Sequence, residues 1–214
     1  MGGLDSRRYR HLVWDWNGTL FDDAWLCVEV MNGVLARRGL PAVTPERYAD
    51  VFTFPVSDYY RLIGFDFSRE TFETVGSEFM AGYEARRLEC RLQPGAREAL
   101  ERAAERGLEQ SVLSGYRQDT LEELLAHGGL RGFFQHVVGS DDHYARGKAA
   151  HAFRWLRQSG AEPGRTLLVG DTVHDWEVAR AIGADCVLIP CGHNARPRLA
   201  ACGVPMLDSL AELR

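Results

Sequence analysis

Short apolar runs that break off at a reactive side chain constrain this chain more than any other feature. Leu12-Val13-Trp14 ends at Asp15, Val112-Leu113 at Ser114, and Leu167-Leu168-Val169-Gly170 at Asp171. His136-Val137-Val138 ends at Gly139 and leads by a loop to Lys148, and Cys186-Val187-Leu188-Ile189 adds a further run. The runs are continuous rather than alternating, the pattern of strands buried on both faces. Helical stretches over residues 96–106 and 119–127, and from about 148 and about 175, separate them, with Gly107 and Gly128-Gly129 as stops. This alternation predicts a parallel sheet with helices on both faces.

Between Asp23 and Arg91 the rhythm changes. Asp22 or Asp23 opens a helix that runs to about Arg38 and is closed by Gly39 and Pro41. Thr44-Pro45 opens another, with proline at the first helical position. Phe54-Pro55 interrupts the pattern, and residues 68–88 carry Phe72, Val75, Phe79 and Tyr83 at helical spacing. No strand is expected there. The chain therefore reads as α/β: a Rossmann-like core from residues 1–22 and 92–214, with a small all-helical cap, residues 23–91, inserted after the first strand. The cap would hinge near Phe21-Asp23 and Leu92-Pro94. Val204-Pro205-Met206-Leu207 reads as a weak last strand before a short helix.

Composition excludes several classes. With 214 residues the chain buries roughly 70 % of its unfolded surface without staples. Apolar residues at 45 % and charged residues at 26 % rule out wholesale disorder. The 25 Lys and Arg against 30 Asp and Glu give a net charge of −5, no footprint for nucleic acid. No apolar stretch approaches the ~20 residues of a membrane span. The polar start, with Arg7, Arg8 and Arg10, does not read as a signal peptide. Cys27, Cys90, Cys186, Cys191 and Cys202 lack metal-ligand pairing, so free thiols in a cytoplasmic protein are expected.

Ligands of open parallel sheets sit beyond the carboxyl ends of the strands. Asp15, Ser114, Lys148, Asp171 and Asp175 are thereby expected in one small volume. Three carboxylates beside one ammonium repel unless a divalent cation joins them, and hard oxygen ligands select magnesium. A carboxylate at a strand end can attack phosphorus, with Lys148, Ser114 and backbone N–H groups holding the phosphoryl oxygens. Each residue also has a plainer reading. Asp15 can shape the turn before Gly18, Asp171 and Asp175 can cap a helix, and Ser114-Gly115 is a turn signal. Lys148 can be a solvated lysine whose role Arg146 takes. His174 and His193 read as structural. Trp25, Phe52, Phe54, Tyr59 and Tyr60 either line a pocket or, more plainly, pack the core of the insert. Arg61 is a candidate contact for an anionic substrate.

Asp15-Trp16-Asn17-Gly18-Thr19-Leu20 resembles the first motif of the haloacid dehalogenase superfamily, Ser114 the second and Lys148 the third. Gly170-Asp171-Thr172-Val173-His174-Asp175 resembles the acidic fourth, and the insert the C1-type cap of phosphoglycolate-phosphatase-like members. The resemblance covers nearly the whole chain. It implies a magnesium-dependent phosphatase or phosphotransferase acting on a small phosphorylated metabolite, as a monomer or homodimer, with neither nucleic acid nor membrane as partner. It makes Asp15 the nucleophile. Magnesium would be held by Asp15, the backbone carbonyl of Asn17 and Asp171, with Asp175 a further ligand or a support behind the others. Ser114, the Gly115 amide and Lys148 would bind the phosphoryl group.

One residue departs from the family pattern. Phosphatases of this family usually carry Asp two residues after the nucleophile, where this chain has Asn17. A carboxamide donates a hydrogen bond but cannot deliver and recover a proton near pH 7. Losing a general acid-base group costs ~10²–10⁴ in rate. Slow turnover of sugar and alkyl phosphates is expected, with acyl phosphates, aryl phosphates and pyrophosphates suffering less. A stalled phospho-Asp15 could also pass its group to an acceptor other than water. The rival from another class is a catalytically impaired protein that binds a phosphorylated ligand. Deamidation at Asn17-Gly18 would restore a carboxylate. A dehalogenase leaves Asp171 and Asp175 without a task, and a phospho-acceptor signalling domain leaves the cap unexplained.

Overall fold

The computed structural model describes residues 8–140 and 148–213; Arg7 and Arg146 lie outside them. Five strands form one parallel sheet: β1 (His11–Trp14), β4 (Glu109–Arg117), β5 (His136–Ser140), β6 (Thr166–Gly170) and β7 (Asp185–Leu188). Their order is β5-β4-β1-β6-β7, which places β1 at the centre. Leu12 pairs with Gln110 on one side and Leu167 on the other, so both edges of β1 are satisfied.

The continuous apolar runs follow from coverage on both faces. Leu12, Trp14, Leu167 and Val169 join the layer that holds Leu100 of α5 (Ala96–Glu105) and Leu121 and Leu125 of α6 (Gln118–His127). Val13, Leu113 and Leu168 point the other way. They pack with Trp155 of α7 (Lys148–Ser159), Val178 of α8 (Val173–Ile182) and Leu199 of α9 (Arg196–Ala200). Successive residues of a strand face opposite sides, so both parities must be apolar here.

The insert is helical as expected: α1 (Ala24–Ala36), α2 (Pro45–Val51), α3 (Val56–Leu62) and α4 (Phe72–Arg86). Thr44 and Thr71 cap α2 and α4 through their side chains. A Cβ on Gly82 would come within 2.9 Å of Val30 Cγ1, so glycine sets the close approach of α4 to α1. The apolar cluster runs unbroken from the sheet into the insert.

The structure departs from the sequence reading in several places. A two-residue ribbon, β2 (Phe21–Asp22) against β3 (Arg91–Leu92), ties together the two ends of the insert. Strands of two residues carry no periodicity to read. β4 runs to Arg117 rather than stopping at Ser114, because its register against β5 slips between Leu113 and Arg117 and the chain then resumes pairing. Val204–Leu207 forms no strand, only a bridge between Met206 and Leu188, and a single 3₁₀ turn (Leu210–Glu212) replaces the last helix. The five cysteines are free. No helix among the described residues is long and apolar enough to cross a membrane.

Candidate active site

The carboxyl ends of β1 and β6 and the first turns of α7 and α8 converge at one point. Asp15 follows β1, its N–H donating to Val169 O at 2.9 Å. Lys148, the first residue of α7, donates from Nζ to Asp15 Oδ1 and, at 2.6 Å, to Asp175 Oδ1. Carboxylate oxygens of Asp15, Asp171 and Asp175 all lie within 4.8 Å of one another, and all three residues are buried. The expected convergence of Asp15, Lys148, Asp171 and Asp175 is thus present in the geometry.

Local chemistry holds each group. Thr172 caps α8: Asp175 N donates to its Oγ1 at 3.2 Å, and that hydroxyl donates to Asp175 Oδ2 at 2.6 Å. Thr172 N donates to the same Oδ2 at 3.0 Å, closing a capping box. Asp175 therefore caps a helix and faces Lys148 at once. Asp171 Oδ1 accepts from Thr19 Oγ1 at 2.7 Å, and Oδ2 from the His193 N–H at 2.6 Å. Glycines make room: a Cβ on Gly18 or Gly192 would lie 2.3 or 2.2 Å from Asp171 Oδ2. Gly18 is also left-handed, at φ 82°, so no other residue fits there without strain.

Burial and crowding set the electrostatics. Burial first, then the charges of Asp175 and Asp171, push the Asp15 carboxyl well above its usual range against the pull of Lys148. Burial and Asp175 likewise push Asp171 up to about 6, while His193 pulls it down. Burial opposes ionisation of Asp175, but Lys148 and Thr172 outweigh it and hold that carboxyl below the ordinary range. Burial also opposes the Lys148 charge, and Asp15 and Asp175 more than restore it. One ammonium does not balance three adjacent carboxylates. The donor set consists of hard oxygens and fits a hard divalent metal ion.

A second buried network flanks the first. Asn17 Nδ2 donates to Asp23 Oδ2 at 2.8 Å and lies 3.0 Å from the Tyr83 hydroxyl, which itself donates to Asp23 Oδ2 at 2.8 Å. Gly18 N donates to Asp23 Oδ1 at 2.9 Å, and His193 Nε2 sits 3.4 Å from that oxygen. Asp22 or Asp23 is expected as the helix cap. Asp23 stands at that position but its side chain makes no capping bond, because these donors take its oxygens. Burial works against its charge, and His193, Asn17 and Tyr83 prevail and keep it ionised. Burial alone would lower His193; Asp23 raises it to about 9. Ser114 Oγ donates to Asn17 Oδ1 at 3.3 Å and accepts from Tyr116 N at 3.0 Å, which orders the segment containing Gly115.

A cleft of about 160 Å³ opens above these groups, lined by Asp15, Asn17, Ser114, Gly115 and Lys148 and walled by the insert. Phe52, Phe54, Tyr59 and Tyr60 line it while packing on one another, so the pocket and core readings of these residues both hold. Trp25 is not on its wall and lies against Arg86. Arg61 is exposed, ion-paired with Asp58 at 2.6 Å, and is not among the residues lining the cleft. His174 pairs with Glu177 at 3.1 Å outside it. His193 joins the site although its sequence gave only a lone histidine. Its place past the carboxyl end of β7 was the available signal. Asp23 and Tyr83 had none, since the bonds that give them a role exist only in the folded chain.

A family model described as haloacid dehalogenase-like hydrolase matches residues 12–189. The phosphoglycolate phosphatase of Rhodobacter capsulatus is 25% identical over 190 residues, covering 87% of this chain and 86% of that one. The tyrosine-protein kinase PtkA of Mycobacterium tuberculosis (strain H37Rv) is 27% identical over 188 residues, 86% of this chain and 62% of that protein. The phosphoglycolate phosphatase of Pseudomonas syringae is 28% identical over 137 residues, 63% of this chain, and the match spans only 50% of that relative's length. Among solved structures, a haloacid dehalogenase-like hydrolase from Bacteroides fragilis superposes with TM-score 0.82 at 17% identity, covering 96% of this chain and 100% of that one. A mutant of CbbY from Rhodobacter sphaeroides, in complex with xylulose-(1,5)bisphosphate, gives 0.74 at 20% identity, covering 96% of each chain.

Proposed function

The chain belongs to the haloacid dehalogenase-like hydrolases, and on that premise we propose that it transfers a phosphoryl group from a small phosphorylated substrate to Asp15 and then to water. The observation that carries this reading is the shared grip of Lys148 Nζ on Asp15 and Asp175, within a buried set of three carboxylates. Residues 1–22 and 92–214 supply these groups, and residues 23–91 act as the cap that closes over the substrate and excludes water.

Asp15 forms a bond to phosphorus as the ester P–O bond breaks, and the bonding pair leaves on the departing oxygen. Water then attacks phosphorus, the Asp15–P bond breaks, and its electron pair returns to the carboxylate while the water proton passes to solvent. Lys148 fixes the orientation of the Asp15 carboxylate and offsets phosphoryl charge. Ser114 and the Gly115 N–H take the remaining oxygens. Asp15, Asp171 and the Asn17 carbonyl would hold magnesium, with Asp175 beside them. Bound there, the ion would supply neutralisation of the crowded carboxylates and of the phosphoryl oxygens.

Asn17 supports a slow enzyme. Its amide is committed to Asp23 and Tyr83 and carries no proton it can give up. The same observation favours a second reading, a protein that binds a phosphorylated ligand without turning it over. The similarity to a tyrosine kinase supports a phosphotransferase variant of the first. Steady-state hydrolysis of acetyl phosphate and a metabolite panel, by wild type and Asp15→Ala, separates these readings. Turnover by wild type and none by Asp15→Ala is expected. Equal rates in the two proteins contradict a nucleophilic Asp15, and no turnover by either leaves the binding reading.

A further inference from the structure

The walls of the cleft have a chemistry that the reactive groups at its floor do not require. Phe52, Phe54 and Val56 on the α2–α3 side, and Phe72, Phe79 and Met80 from α4, line it and are only half-buried. Its charged side chains are Asp15, Asp23, Lys148 and His193, all at the floor and bound to one another or to neighbouring groups. Among the described residues that line it there is no arginine. A carboxylate placed against these walls would lose water and meet no cation, the polar atoms there being tyrosine hydroxyls such as that of Tyr59. An aromatic ring would gain on both counts, by burial and by ring–ring contact.

Asn17 independently favours substrates with a good leaving group, aryl phosphates among them. A phenolate leaves with far less need of a donated proton than an alkoxide does, and the amide at position 17 cannot donate one. We propose that the substrate is a small aryl phosphate monoester, its phosphoryl group at Asp15 and its uncharged ring between α4 and the α2–α3 segment. This rests on the phosphatase reading above. The ester P–O bond breaks with its electron pair leaving on the phenolic oxygen, which takes a proton from water.

Two measurements on the magnesium-loaded protein test it. First, inhibition constants are compared for phenylphosphonate and methylphosphonate, which share the phosphoryl end and undergo no reaction. Phenylphosphonate is expected to bind at least about tenfold tighter, and Phe79→Ala to narrow that ratio toward unity. The ratio within one preparation is independent of how much of the variant folds. Second, kcat/KM for phenyl phosphate is expected to exceed that for 2-phosphoglycolate by at least about 10², acetyl phosphate serving as a ring-free reference. Equal affinity for the two phosphonates, or faster turnover of phosphoglycolate, overturns the substrate class alone. Failure to hydrolyse both phenyl phosphate and acetyl phosphate, or equal hydrolysis by Asp15→Ala, overturns the phosphatase reading beneath it.

Discussion

Asn17 Nδ2 lies 2.8 Å from Asp23 Oδ2, so a carboxylate at position 17 would face another across hydrogen-bond distance. The carboxamide suits the buried Asp23 charge and costs the site its acid. Asn17→Asp is expected to raise turnover of alkyl phosphomonoesters by about 10² and to lower the melting temperature, since two buried carboxylates share one niche. Asn17→Ser, which supplies no acid, should not raise turnover. No gain with alkyl substrates in Asn17→Asp would remove Asn17 as the cause of slow turnover. Conversion by deamidation is opposed by geometry. The Gly18 nitrogen that would close the ring donates to both Phe21 O, at 2.8 Å, and Asp23 Oδ1.

The start of α8 joins folding and chemistry, because Thr172 and Asp175 satisfy each other's backbone and side-chain groups there. Thr172→Ala removes one cap, at about 1–2 kcal/mol, and frees Asp175 from its shortest partner on that side. Thermal melts should show the lost stability and calorimetry a weaker magnesium affinity. Unchanged metal affinity would mean that the cap does not position Asp175. Asp15 and Asp171 were legible in the sequence because each ends a run whose apolar continuity follows from coverage on both faces of the sheet, and Lys148 and Asp175 because each lies in the first turn of a helix that follows such a run. β3 was not, since two residues show no pattern. The extension of β4 was hidden by the register slip that carries Ser114 and Gly115 to the cleft. Tyr83 and His193 acquire their roles through partners far along the chain, and Asp23 through a turn that folds Asn17 and Gly18 back onto it, none of which local spacing encodes.

Over the whole molecule, the insert is clasped to the core on the β7 side. Ala195 N donates to Ala49 O at 3.1 Å, and Asn194 Nδ2 and Arg198 reach Phe52 O at 2.9 and 2.6 Å. Aromatic walls are thereby held over the floor that carries Asp15 and Lys148. Removing magnesium with a chelator should abolish turnover and lower the melting temperature, because a ligand of the folded state alone stabilises it. Re-addition should restore both, and chelator-resistant hydrolysis would revive metal-free chemistry. The central claim is a covalent bond between Asp15 and phosphorus. It is tested most directly by mixing the protein with magnesium and phenyl phosphate, quenching in acid within the first turnovers, and mapping the modified peptide by mass spectrometry. The phosphoryl group is expected on Asp15, lost after a chase with phosphate-free buffer and absent in Asp15→Asn. Steady hydrolysis with that peptide unmodified, or a phosphoryl group on any other side chain, would contradict the account.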